Sequence, residues 1–210
     1  MSKDSRRIDV NNIYSFNRLS TNETVESGTS VVYGADFIKT NKLDEEILSL
    51  KIANSIRLKE DNKLPDDSNL NKKMSDIVGN IKFSPSEMLE FNYDFSIDEN
   101  LKDNSYQLLS SEISLNNFVT TFEYLNDNSP INSNSYLSNK TSYFINESKS
   151  KNLSFETRIN KETQITEFYN LIYQYSTDCL VAAVQYNKDY YSNKDLKPDE
   201  KLYFELTIIP

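Results

Sequence analysis

The chain has 210 residues, a formal net charge of −9 at neutral pH, 37% hydrophobic and 26% charged residues, and neither histidine nor tryptophan. Without histidine, the commonest general base and zinc ligand, most hydrolytic and zinc-dependent mechanisms are excluded, and the acidic balance argues against a nucleic-acid partner. Three glycines leave no Gly-rich phosphate loop and one cysteine cannot close an internal disulfide; no stretch approaches the roughly 18 apolar residues of a membrane helix, which says nothing against a transmembrane β-barrel.

Residues 1–29 read as a polar lead-in loop without a sustained period. No apolar h-region follows Met1 to Arg7, so no signal peptide is read there. From residue 30 onward the side-chain period is two, the signature of strands with one apolar and one polar face. Val31, Tyr33, Ala35 and Phe37 alternate with Val32, Gly34 and Asp36. Leu48, Leu50, Ile52, Ile56 and Leu58 alternate with Ser49, Lys51, Ala53, Ser55 and Arg57, and Asn54 interrupts the apolar side. Ile77, Gly79, Ile81 and Phe83 form the next apolar row. The clearest strand follows Pro85, with Leu89, Phe91, Tyr93, Phe95 and Ile97 on one side and Glu90, Asn92, Asp94 and Ser96 on the other. Further strands are expected over Leu109–Leu115, Phe118–Tyr124, about Asn139–Asn146, Leu153–Ile159, Tyr169–Tyr175, Leu180–Tyr186 and Leu202–Ile208.

The expected fold is therefore all-β, a meander of about eleven antiparallel strands over residues 30–210. Most are about nine to eleven residues long, the length that crosses a tilted bilayer path, whereas sandwich strands run to about five or six. The connectors tend to alternate short (41–45, 84–86, 115–117, 147–150, 176–178) and long (60–74, 98–105, 126–138, 187–200), with 161–164 as a short exception. Outer-membrane barrels show that asymmetry between their two rims. In such a barrel Leu50, Ile52, Leu89, Phe91, Tyr93 and Phe95 would face lipid, and Glu90, Asn92, Asp94, Glu156 and Arg158 would line the lumen; in a soluble protein the second set is a solvated sheet face. The aromatic residues near strand ends fit interfacial girdles and, equally, ordinary β-propensity. An odd strand number does not close a bacterial barrel, so the chain is expected to be part of one, without its upstream half.

Two segments carry a resemblance. One is Asn12-Ile-Tyr-Ser-Phe-Asn-Arg18, followed by Val25-Glu-Ser-Gly-Thr-Ser30 and Tyr33-Gly34. The other is Thr177-Asp-Cys179, then Tyr186 to Tyr190, Asp195-Leu-Lys-Pro198 and Leu202-Tyr-Phe204. In their order and spacing across nearly the whole chain they resemble the carboxyl-terminal barrel region of the LPS-assembly LptD (OstA) family, in its alphaproteobacterial form. The chain departs from the family pattern at Arg18 to Thr24, and it lacks a terminal aromatic residue. The resemblance implies an outer-membrane translocon for lipopolysaccharide, with an LptE-like lipoprotein plug and an LptA-like periplasmic bridge as partners. It also implies a lateral seam, one edge of which would be Lys201 to Ile209, carrying Leu202, Phe204, Leu206 and Ile208. Cys179 reads either as a small apolar residue or, as the resemblance implies, as half of a disulfide to a residue outside this chain. No cofactor is expected, and no nucleophile–base constellation suggests an enzyme. The other functional readings are a different outer-membrane barrel, such as a porin or receptor, and a soluble β-rich carbohydrate-binding module.

Overall fold

The computed structural model describes residues 7–16, 18–19, 26–128, 133–191 and 197–208. Eleven strands follow one another: β1 (Ser30–Thr40), β2 (Glu46–Arg57), β3 (Ile77–Ser86), β4 (Leu89–Ile97), β5 (Asn104–Leu115), β6 (Phe118–Asp127), β7 (Asn134–Phe144), β8 (Lys151–Asn160), β9 (Ile165–Ser176), β10 (Leu180–Asp189) and β11 (Asp199–Ile208). They form one antiparallel meander, each strand hydrogen-bonded to its sequence neighbours, with β1 and β11 at the two ends of the order. The fold class and strand number expected from the alternation are those observed. Among the described residues the sole helical element is a 3-10 turn at Asp66–Ser68.

Strand limits differ from the sequence expectation where polar residues occupy both faces. β5 begins at Asn104 and β7 at Asn134, each five residues earlier than expected. Backbone pairing continues through Asn, Ser and Gln because neighbouring strands, rather than side-chain hydrophobicity, supply the partners. The turn expected at 84–86 lies instead at Glu87 and Met88, and Pro85 sits near the end of β3, where a missing N–H is tolerated.

The turns explain why glycine is scarce and asparagine abundant. Asn and Asp side chains close turns by accepting backbone N–H groups, and they tolerate the left-handed backbone that glycine otherwise supplies. Asn41 Oδ1 accepts from the N–H of Leu43 and Glu45 (2.8 and 3.0 Å). Asn160 Oδ1 does the same for Glu162 and Thr163 (both 3.0 Å), and Asn146 Oδ1 for Lys151 (3.0 Å). Asp98 Oδ1 accepts from Lys102 and Asp103 (2.7 and 3.1 Å), holding Leu101 at φ 58°, an uncommon backbone for a bulky residue.

The chain parses into two compact units: residues 1–85, 91–109 and 126–134, and residues 86–90, 110–125 and 135–210. The first unit holds the buried apolar cluster of Ile8, Ile13, Leu19, Ala53, Leu64, Leu70 and Val78. The second is built mainly from the β7–β11 ladders.

Candidate functional site

The sheet has two chemically opposite faces. In the first unit, Leu50 pairs across β1 and β3 with Phe37 and Ile81, and Ile52 with Ala35 and Gly79. Leu50 and Ile52 are 37% and 39% exposed despite lying mid-strand. Phe91, exposed, stacks on Phe83 of this same face at 6.5 Å. Phe95 lies over Gly79, and Tyr93 stacks on Phe95 at 5.5 Å; with Leu89 they are half-buried. The six residues expected to face lipid thus share one apolar face. In the second unit a single cross-strand row reads Tyr143–Leu153–Tyr173–Val184–Phe204, every member exposed.

Three polar side chains on this face satisfy one another, whereas Asn54 Oδ1 is buried without a hydrogen-bond partner. Thr120 and Thr141 share a hydroxyl hydrogen bond of 2.8 Å, and Asn139 Nδ2 donates to Thr120 Oγ1 (3.0 Å) and to the Thr121 carbonyl (3.2 Å). Thr141 Oγ1 returns a bond to Asn139 Oδ1 (3.2 Å). Asn54, the interruption in the β2 apolar row, donates to the Ser75 and Asp76 carbonyls (2.8 and 3.3 Å), close to where the β2–β3 ladder ends at Ala53 and Val78.

The opposite face is polar. Asn80 Nδ2 donates to Asn92 Oδ1 (2.8 Å) and Asp94 Oδ1 (2.7 Å), and Asn92 Nδ2 to Asp94 Oδ2 (2.8 Å). Glu90 is exposed at the start of β4. Glu156 stands in the row Lys140–Glu156–Asn170–Asn187–Lys201 across β7–β11. Arg158 pairs with Glu167 and lies 5.1 and 5.2 Å from the rings of Tyr136 and Phe168. The five residues expected to line a lumen are polar positions of β4 and β8; Asn92 and Asp94 share a network in the first unit, and Glu90, Glu156 and Arg158 belong to the second.

Sequence reasoning missed a packed segment on this polar face. Residues 7–16 and 18–19 of the lead-in loop form a strap within the first unit. Asp9 Oδ1 accepts the N–H groups of Asn11 and Asn12 (2.7 and 2.9 Å), closing a turn that buries Ile8 and Ile13. At one end Arg7 bonds Asp127 Oδ1 of β6 at 2.6 Å and lies 4.4 Å from the Tyr106 ring of β5. At the other end Arg18, 5% exposed, pairs with Glu26 and donates to Ser55 Oγ (2.7 Å) and Ser30 Oγ (2.8 Å). Arg57 shares Glu26 Oε1 at 2.6 Å and donates to the Ser27 carbonyl. Between the two ends, the Tyr14 hydroxyl occupies the space beside Gly34 that a β-carbon would fill. The legible signal was Ile8, Ile13 and Leu19 recurring in an otherwise polar stretch.

The 58–76 connector packs on the strap through Leu64 and Leu70. Its Asp61 carboxyl is held below the ordinary range, first by the Lys63 N–H and then by the Ser27 hydroxyl at 3.0 Å. Nearby Asp76, 2% exposed, accepts at Oδ2 from Asn69 (2.8 Å), Ser96 (3.0 Å) and Ser105 (2.5 Å). Neutral donors alone satisfy this oxygen, as a buried acceptor requires.

Cys179 is an exposed free thiol in the short connector 177–179, held by Thr177, whose N–H donates to the Leu180 carbonyl (2.7 Å). Leu202, Phe204, Leu206 and Ile208 lie on the apolar face of terminal strand β11, between 54% and 74% exposed. Ile209 and Pro210 lie outside the described residues. No cluster of His, Cys, Asp and Glu able to hold a metal occurs among the described residues.

No curated protein matches the chain. The family described as LPS transport system D (LptD) matches residues 3–162, a span that takes in the strap and most of the strands with their two-faced pattern. An all-β meander matched over that length belongs to the LptD family, a family of transport and assembly proteins rather than of enzymes.

Proposed function

We propose that the chain is the carboxyl-terminal barrel part of an alphaproteobacterial-type outer-membrane translocon that places lipopolysaccharide in the outer leaflet. The observation that carries the reading is the exposed apolar face. On β2 it runs from Leu48 to Ile56. At a strand rise of about 3.4 Å per residue and a tilt of about 40° that spans roughly 21 Å, most of the ~25 Å apolar band of outer-membrane barrels. Leu50, Ile52, Leu89, Phe91, Tyr93 and Phe95 would then contact acyl chains, and Glu90, Asn92, Asp94, Glu156 and Arg158 the aqueous interior.

The connector pattern sets the orientation. The connectors 41–45, 87–88, 116–117, 145–150 and 177–179 would form the periplasmic rim, putting Cys179 on the oxidising side that holds the bridge to an LptA-like partner. There it forms a disulfide with a residue outside this chain. β11, with Leu202, Phe204, Leu206 and Ile208, forms one edge of the lateral seam through which the lipid leaves, and an LptE-like lipoprotein fills the interior.

The test is site-specific photocrosslinking in outer-membrane vesicles. A photoreactive residue at Phe204 captures lipopolysaccharide well above the background set by the outer leaflet at Phe155 of β8, equally apolar but away from the edge. Equal capture at both positions favours a porin or receptor barrel. A chain that stays monodisperse in detergent-free buffer and ignores vesicles overturns the membrane reading.

A further inference from the structure

The arginines among the described residues are Arg7, Arg18, Arg57 and Arg158. Arg7 bonds Asp127 through Nη2, and Arg18 and Arg57 engage both of their terminal nitrogens, on Glu26, Ser55, Ser30 and the Ser27 carbonyl. Arg158 differs. Its Nε donates to Glu167 Oε2, while Nη1 and Nη2 bond nothing among the described residues, and its side chain is 39% exposed. We infer that Arg158 is a receptor for an acidic sugar: its open fork takes a phosphate or carboxylate group, and the carboxylates beside it take the sugar hydroxyls. The inference rests on the translocon reading only for naming that sugar as the head of the exported lipid.

Three observations carry it. First, the guanidinium is held in place before any ligand arrives. Glu167 fixes Nε and is itself held at Oε1 by Asn160 Nδ2, at 3.1 Å. The rings of Tyr136 and Phe168 lie 5.1 and 5.2 Å from the central carbon of the fork, and the Tyr136 hydroxyl donates to Glu123 Oε1 at 2.6 Å. A planar fork fixed in this way loses little freedom on binding and matches two oxygens of a phosphate or carboxylate. Second, the backbone aims it. The β8–β9 register shifts between Arg158 and Ile159, and such bulges redirect side chains. Its neighbour across β7 is Ser138, a small side chain that leaves the fork open. Third, the charges select the class of ligand. Glu167 already offsets the charge of Arg158, so a bare anion gains little. An ionised carboxylate offers about four acceptor sites; Glu167 uses two of them and Glu123 one in the bonds just described. The remaining sites accept hydroxyls. An open donor fork beside open acceptors fits a molecule that carries an acidic group and hydroxyls together.

The experiment follows the Arg158 Nε–H resonance in the full chain, isotope-labelled at arginine and folded in detergent micelles; the resonance is assigned by its loss in Arg158→Lys. Three soluble probes separate the chemistries: glucuronate carries acid and hydroxyls, acetate the acid alone and glucose the hydroxyls alone. Glucuronate is expected to shift the resonance saturably, at a concentration at least tenfold below that needed for acetate or glucose. Glu167→Gln removes the offsetting charge while keeping an acceptor for Nε, and is expected to tighten acetate several-fold and narrow the preference for glucuronate. A resonance that glucuronate leaves unmoved in the parent chain overturns the site. Acetate binding as well as glucuronate overturns it too, since that marks an adventitious ion only. Rough lipopolysaccharide added to the micelles is expected to displace glucuronate, and its dephosphorylated form to do so less well. Glucuronate binding that lipopolysaccharide leaves untouched upholds the site and counts against the translocon reading alone.

Discussion

Replacing Ile52 with lysine separates a membrane wall from a solvated sheet by the size of the penalty. Ile52 sits mid-strand in β2, flanked by Ala35 and Gly79, and is 39% exposed. On a soluble protein such a surface change alters stability by about 0.5 kcal/mol or less. Facing lipid at the bilayer midplane, a lysine costs about 2–4 kcal/mol, a shift of roughly 30- to 700-fold in the folding equilibrium. Leu48 is four residues along the strand, about 13 Å at the usual rise, so lysine there sits near the interface and costs about 0–1 kcal/mol. Reversible urea unfolding of Leu48→Lys, Leu50→Lys and Ile52→Lys in lipid vesicles therefore yields a graded series with its maximum at Ile52. Lysine replacing Ser49 on the polar face gives no such maximum. A flat outer series within about 0.5 kcal/mol refutes the assignment of this face to lipid.

Three more measurements follow from local geometry. Cells bearing the Cys179→Ser variant lose the disulfide-dependent mobility shift on non-reducing gels that the parent chain shows; a parent band unaffected by reductant removes the proposed pairing. Gly79→Ala places a methyl where the Phe95 ring lies and lowers stability by about 1–3 kcal/mol. In a double-mutant cycle with Phe95→Leu most of that loss disappears, whereas additivity shows that the ring is not the obstacle. Asp98 has its carboxyl lowered from 3.8, chiefly by the Asp103 and Lys102 N–H groups. A lowered folded value contributes order above the ordinary carboxylate range that is lost as pH falls through the depressed value. Hydrogen exchange at Lys102 and Asp103 accordingly accelerates below pH 3.8, and Asp98→Ala shows the fast exchange already at neutral pH; pH-independent protection in the parent refutes it.

The strand order was legible because one face of each strand is apolar, and a period of two is readable wherever that holds. It faded at Asn104 and Ser105 and at Asn134 and Ser135, where both faces are polar and pairing comes from neighbouring backbone. The Asn92–Asp94 cluster was legible as a polar face but not as a network, since its third member, Asn80, stands on the adjacent strand. The strap left one faint signal, the recurrence of Ile8, Ile13 and Leu19, and its polar contacts left none. Arg18, Glu26 and Arg57 are brought together by tertiary packing, and no spacing rule links a loop arginine to a strand arginine. Residues 7–19 hold Ile8, Val10, Ile13, Tyr14, Phe16 and Leu19, but these follow no period of two and so announced no element.

The Thr120–Asn139–Thr141 ring carries a lesson about hydrophilicity scales. Each of these groups counts as water-seeking when scored alone, yet their donors and acceptors are directed at one another and at a main-chain oxygen. Their hydrogen-bonding groups are largely spent on one another, so the mean hydropathy of the chain, −0.64, overstates the polarity of this patch. Transfer cost here is a property of the triplet: changing any one member alone leaves the other two bonded to each other but with a hydrogen-bonding group unspent.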